Sequence, residues 1–320
     1  MRAKFNYRGV PAMISLKRFS LFISTVAVAL AGAGYVSAQV RAPRPSQKAS
    51  VMQTIGVTDV TITYSRPGVK GRKIWGEPWA GEGEATLDAA NTRPKDAPIV
   101  PYGRVWRSGA NEATLFVVTD DVLIEGQPLK AGKYSLHTVP GREEWTIIFN
   151  SDDGQWGSFA YDAKKDVLRV KTKPQAAAEN QEWLLYSIEP VTESSARVNI
   201  RWEKLTVPFT VSVKDVAGLT MTKMRESVAT AKADDWRTPM QAGNYAVQNK
   251  AFDEGMRWID QSIKIKETFQ NLSAKAIALF GAGRKDEAIK IADQAIARGK
   301  ADKVDTTNFE KRVATLKAGS

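Results

Sequence analysis

Two stretches of the chain concentrate side chains that could recognise a ligand. The first runs Tyr64-Ser65-Arg66-Pro67-Gly68-Val69-Lys70-Gly71-Arg72-Lys73-Ile74-Trp75. The second runs Pro101-Tyr102-Gly103-Arg104-Val105-Trp106-Arg107-Ser108-Gly109-Ala110-Asn111-Glu112. Guanidinium forks grip carboxylate or phosphate with two parallel hydrogen bonds, and aromatic faces take sugars or cations. If the stretches neighbour each other in space, Arg66, Arg72, Trp75, Tyr102, Arg107, Asn111 and Glu112 would line one pocket for an anionic or carbohydrate-like ligand. A plainer reading stands beside it. Asn111 makes a turn, and Arg107 pairs with Glu112 or caps a strand edge. His137 shares a strand face with Ser135 and Lys133, which would suit a general base, although a lone strand histidine is more often exposed or singly hydrogen-bonded.

Other chemistry is bounded by composition. The 320 residues hold no cysteine and one histidine. Thiolate nucleophiles, disulfides and cysteine or multi-histidine metal sites therefore drop out. No nucleophile elbow, zinc-protease helix or phosphate-cradling glycine loop is present. Asp152, Asp153 and Asp162 could hold calcium, but a solvated hairpin is the simpler account. The expectation is no metal, no cofactor and no assignable catalytic residue, with a paired-carboxylate glycosidase left open. The formal charge is +11. Arg2, Lys4, Arg8, Lys17 and Arg18 account for five of these charges with no acid among residues 1–38. The remainder is too diffuse for a nucleic-acid stripe.

Those five charges precede the apolar run Phe19–Leu30 and the small-residue end Val36-Ser37-Ala38. This reads as a signal peptide cut after Ala38, with Met1 or Met13 as the start. The run is short for a membrane span, so the mature chain is expected in the periplasm or secreted, without a span. Residues 39–50, rich in proline, read as a linker. From there to 213, segments such as Val57–Tyr64, Thr114–Thr119, Lys133–Val139 and Trp145–Phe149 alternate with period two. Val167–Lys173, Trp183–Ile188, Val198–Trp202 and Val207–Val213 do the same, with turn signals such as Glu125-Gly126 between. Short strands without crossover helices argue for an antiparallel β-sandwich or jelly roll over residues 51–213. Residues 77–98 lose the pattern and read as a mobile loop or a flap.

Both stretches, with Ala131-Gly132-Lys133-Tyr134-Ser135-Leu136 and Glu144-Trp145-Thr146-Ile147-Ile148-Phe149-Asn150, resemble a bacterial exported family known as domain of unknown function 2911. The resemblance spans about residues 45–213. It implies export and a β-rich fold, and it brings no known activity. Two features depart from the family pattern: the stretch 77–98 looks like an insertion, and His137 stands where an aromatic is expected.

From Val216 the period becomes helical. Met221, Met224 and Val228 share one face, and Thr307–Glu310 has the form of a capping box. Asn249–Ile263 aligns with Ala282–Ile296 at an offset of 33, placing Asp253-Glu254 over Asp286-Glu287 and Asp260-Gln261 over Asp293-Gln294. This resembles tetratricopeptide repeats. Gly255 and Ala288 would let helices approach, and Trp258, Ile263, Ile291 and Ile296 would form the packed ridge. The whole chain is thus expected to be α+β, with a helical domain over 214–320 that offers a groove to a peptide or protein, or else only packs. Two functions remain: a binding or assembly module, and a hydrolase of envelope carbohydrate or ester using Glu112 or His137.

Overall fold

The computed structural model describes residues 42–79 and 94–318. The proposed signal peptide lies outside the described residues, as does most of the stretch 77–98. The described residues from Pro45 onward fall in one compact unit.

The first half is built from antiparallel strands. β1 (Gln47–Ile55), β2 (Thr58–Arg66), β5 (Thr114–Val118), β8 (Gly132–Val139), β9 (Trp145–Asn150) and β10 (Asp166–Thr172) form one sheet in that order. A second sheet has the order β11 (Gln175–Thr192), β12 (Ser195–Ser212), β6 (Val122–Ile124), β7 (Gln127–Leu129). Between them lies a single apolar core, because alternation sends every second side chain inward. Ile62, Phe116, Leu136 and Phe149 meet Leu184, Tyr186, Ile200 and Phe209 there, all at 2% exposure or less. Phe209 contacts the rings of both Phe116 and Phe149. The Glu125-Gly126 turn has both residues at positive φ, 47° and 80°, as a two-residue hairpin loop requires.

Three details differ from the sequence reading. β1 begins at Gln47, inside the segment read as a linker. The segments 198–202 and 207–213 are parts of one strand, β12, bent by register shifts against β11. A short parallel pair, β3 (Trp75–Gly76) with β4 (Val100–Pro101), ties the two ends of the stretch 77–98 together.

Six helices follow: α1 (Val216–Thr230), α2 (Arg237–Gln248), α3 (Phe252–Ile265), α4 (Phe269–Gly281), α5 (Lys285–Ala301) and α6 (Thr307–Ala318). The chain is therefore α+β. α1 joins the two halves: Val216 and Leu219 pack on the sandwich core, and Lys223 Nζ reaches Asp120 Oδ2 and the Val57 carbonyl at 2.7 and 2.8 Å. Met221 and Val228 face Trp258 in a second cluster, with Met224 at its margin. α2 and α3 approach closely at Gly243 and Gly255. A Cβ on Gly255 would stand 2.8 Å from the Gly243 carbonyl oxygen, so a side chain there forces the helices apart. The last helix is capped one residue earlier than expected. Thr306, not Thr307, meets the Glu310 carboxylate, and Asp305 accepts the Thr307 N–H.

Candidate functional site

Alternation along β8 gives its two faces different chemistry. Tyr134 and Leu136 enter the core, while Ser135 and His137 point to the outer face of the six-stranded sheet. In the ladder Leu115 pairs with Ser135 and Ser135 with Asn150, so one row of outward side chains crosses three strands. His137 pairs with Ile148, which pairs with Arg169. An outer face would normally be wet, yet Ser135, His137 and Asn150 are all 0% exposed. Their cover is the segment 151–162, which lies across the sheet like a strap.

Asn150 is the fastening. Its amide nitrogen donates to Asp166 Oδ1 at 2.7 Å and to the Asp162 carbonyl at 3.0 Å. Its amide oxygen accepts from the Asp152 N–H at 3.0 Å and Gln155 Nε2 at 3.4 Å. Farther along, the Tyr161 hydroxyl donates to Asp166 Oδ2 at 2.6 Å and accepts from Arg169 at 2.8 Å. That clasp sets the Tyr161 ring 5.1 Å from the imidazole of His137. Burial and the carboxylate beside it push the Tyr161 hydroxyl well above the ordinary phenol range. On the opposite side the Ala113 N–H donates to the Gln155 carbonyl and the Gly157 N–H to the Asn111 carbonyl.

His137 Nε2 lies 3.1 Å from Ser135 Oγ, whereas Nδ1 is buried without a hydrogen-bond partner. Burial pulls its pKa down to about 4, helped by Arg107 and opposed by Asp166 and Asp152. The imidazole is therefore neutral at physiological pH. Among the carboxylates of the strap, Asp152 meets Lys165 at 2.8 Å, Asp153 meets Lys133 at 3.0 Å, and Asp162 caps the short helical turn Ala163–Lys165. Each of these contacts engages one oxygen of its carboxylate.

The two aromatic and arginine stretches do meet, through backbone and tryptophan. The Ala110 N–H donates to the Ser65 carbonyl, and a Cβ on Gly109 would lie 2.8 Å from Thr114 Oγ1 and 3.2 Å from that same carbonyl. Only glycine lets the turn approach so near. Ser108, buried at φ 56°, is locked by its hydroxyl to Thr138 and by its carbonyl to Thr114 and Tyr186. Trp75 and Trp106 stand 5.8 Å apart within a cluster completed by Trp145 and Trp202.

The eight residues singled out from the sequence divide accordingly. Trp75 belongs to the core. Arg66 Nε donates to the Leu184 carbonyl at 2.8 Å, and Arg72 donates to the carbonyls of Val69 and Gly68. Tyr102 lies under Arg142, which in turn pairs with Glu77. Arg107, Asn111, Glu112 and His137 gather beside the strap. There Arg107 donates to the Asn111 carbonyl at 2.7 Å, and Asn111, at φ 59°, makes the turn and donates to the Ser46 carbonyl.

A cleft of about 170 Å³ opens next to this second group. Lys48, Thr63 and Ser65 form one wall, Glu112 and Leu115 the floor side, and Asp153-Gly154-Gln155 of the strap the other wall. Gln155 is 7% exposed, and its carbonyl Oε1 is buried without a hydrogen-bond partner. Lys48 and Gln155 did not stand out in the sequence. No spacing in the sequence marks Gln155, whose place depends on the turn 153–155 meeting Glu112 in the fold. Among the described residues no group of three or more His, Asp or Glu side chains could hold a metal ion, and no helix is long and apolar enough to cross a membrane.

Such an arrangement defines a β-sandwich protein with a polar cleft on an outer sheet face, continued by helical hairpins. Residues 46–211 match the family model described as "Protein of unknown function (DUF2911)", and the chain belongs to that family. No curated protein and no solved structure matches it.

Proposed function

We propose that the chain is an exported binding protein whose sandwich holds a small, hydroxyl-rich ligand such as a sugar unit in the cleft beside the strap. The observation that carries this reading is the mixed lining of that cleft. An ammonium (Lys48), two carboxylates (Glu112 and Asp153), a buried amide (Gln155) and the hydroxyl residues Thr63, Tyr64 and Ser65 line about 170 Å³. Such a set matches donors and acceptors on a neutral polar ligand better than it matches an anion. The guanidinium forks expected for an anion are engaged elsewhere, since Arg66 and Arg72 donate to backbone carbonyls. Trp156, 54% exposed, is bridged through its backbone to Glu112.

In this reading residues 1–38 are the leader, 39–46 the connection, 47–213 the ligand-binding part, since β1 begins at Gln47, and 214–320 a tetratricopeptide-like protein-interaction region. The periplasmic or secreted location follows from the leader alone. Calorimetric titration of the full chain with a panel of envelope monosaccharides, disaccharides and amino acids tests the binding. At least one sugar should bind, and Glu112→Gln and Lys48→Ala should each weaken it tenfold or more. Binding that ignores both substitutions sinks the cleft as the site.

A hydrolase remains the second reading because Ser135 Oγ and His137 Nε2 lie 3.1 Å apart, the reach of a nucleophile and its base. Both are fully buried, so the strap would have to open before any ester could reach them. Ester turnover abolished by Ser135→Ala in a folded variant would favour this reading.

A further inference from the structure

A second concavity, about 560 Å³, lies far along the chain from the strap, among α3, α4 and α5. Its apolar floor comes from Met256, Leu279 and Ile291, and its rim is charged. The acids of the rim are already answered. Asp260 pairs with Lys275 at 2.7 Å, and Glu287 pairs with Arg284 at 2.6 Å. Asp253 acts electrostatically on the same Arg284. Two cations stay open. Neither Arg257 nor Lys290 forms an ion pair among the described residues, and both are exposed. The acid that feels Arg257, Glu254, is itself held by both arms of Arg225 at 2.9 and 2.8 Å.

The two open cations occupy equivalent positions, because Arg257 falls on Lys290 at the offset of 33 that relates α3 to α5. The repeat therefore places one positive charge on each of two corresponding helices, with an apolar floor between them. Equivalent helices flanking a third are separated by at least a helix diameter, roughly 10 Å. A peptide extended in the polyproline II form has three residues per turn and advances about 3.1 Å per residue, so carboxylates three residues apart lie on one side and would reach both cations.

We propose that this groove binds an extended peptide segment carrying two carboxylates about three residues apart, with apolar side chains between them that lie on Met256, Leu279 and Ile291. The proposal rests on the reading of the helices as a protein-interaction region and names the chemistry of the partner. It stands apart from the sugar cleft, which shares no residue with the groove.

Fluorescence anisotropy on the full chain provides the test, with three labelled, end-capped hexapeptides of leucine and glycine. They carry two glutamates three residues apart, two glutamines there, or two lysines there. The glutamate peptide should bind at least tenfold more tightly than the glutamine peptide, and the lysine peptide should not bind. Raising the salt should weaken the glutamate peptide several-fold. The double substitution Arg257→Ala with Lys290→Ala, both at exposed sites, should remove that tenfold preference while the melting curve is kept. Arg257→Glu with Lys290→Glu should turn the preference toward the lysine peptide. Equal binding of the glutamate and glutamine peptides overturns the charge inference and leaves the interaction region standing. Failure of all three peptides to bind overturns both.

Discussion

The two faces of the six-stranded sheet make an instructive pair. On the inner face Tyr134, Leu136, Phe149 and Phe116 are buried by apolar contact with the second sheet. On the outer face Ser135, His137 and Asn150 are buried just as completely, but by a strap whose hold is polar. Apolar contact is non-directional, so the inner face constrains volume and tolerates exchange of shape. Hydrogen bonds are directional, and a missing partner leaves a buried group unsatisfied, so the outer face constrains residue type atom by atom. The molecule has used the second kind of burial next to its cleft.

Four measurements sharpen or break this contrast. The largest effect should come from the inner side. Trp145, fully buried in the tryptophan cluster, should cost about 3–5 kcal/mol on replacement by alanine, read from urea unfolding midpoints. A cost near 1 kcal/mol would mean the cluster is loosely packed. Next comes pH. Folded, His137 stays neutral down to about pH 4, while unfolded it takes a proton near the ordinary value of 6.5. Between those values the unfolded state binds more protons, so stability rises with pH across that window. The contribution is fully present above 6.5 and is lost as acid approaches 4, up to about 3 kcal/mol. Unfolding curves at pH 7 and pH 5 should diverge for the native chain and converge for His137→Leu. Equal pH slopes in the two proteins would falsify the buried neutral imidazole.

Asn150→Ala removes four hydrogen bonds at once, three of them to the strap, and should cost about 2 kcal/mol. Amide exchange should rise across residues 151–162 and stay unchanged in β2 and β5. Exchange that rises everywhere would show the strap and sheet to open together. The smallest effect is expected at the surface, where Lys165→Ala breaks the pairing with Asp152. It should leave the melting temperature unmoved, because exposed pairs are screened.

Much of the sandwich was legible because strands with one dry face alternate visibly, as in Thr58–Arg66 and Thr114–Val118. β1 was not, since only Ile55 of its residues is buried and Gln47, Lys48 and Gln53 break the apolar rhythm of an edge strand. The first half of β11, Gln175–Gln181, is mostly exposed and carries no apolar stripe at all. The helices were legible down to Gly255, whose close approach is a local demand of α2 against α3. Trp258 lies in the packed layer as read, while Ile263, Ile291 and Ile296 are only partly buried at its edge. Of the site, the alternation that joins His137 to Ser135 could be read from three residues of one strand. The strap could not. Asn150, Gln155, Tyr161 and Asp166 matter through contacts between a loop and a sheet face, and no spacing along the chain encodes that meeting.

The two sheets also differ in when they can be completed. Every strand of the six-stranded sheet precedes Gln175, so a chain emerging from its N-terminus could close that sheet while the rest is still being made. The hairpin β6–β7 must instead wait, its edge unsatisfied, until Val211 and Ser212 arrive to pair with Ile124 and Leu123. Late arrival of those two residues sets the order of assembly. A chain cut short before them would expose half a finished body with its sticky side outward.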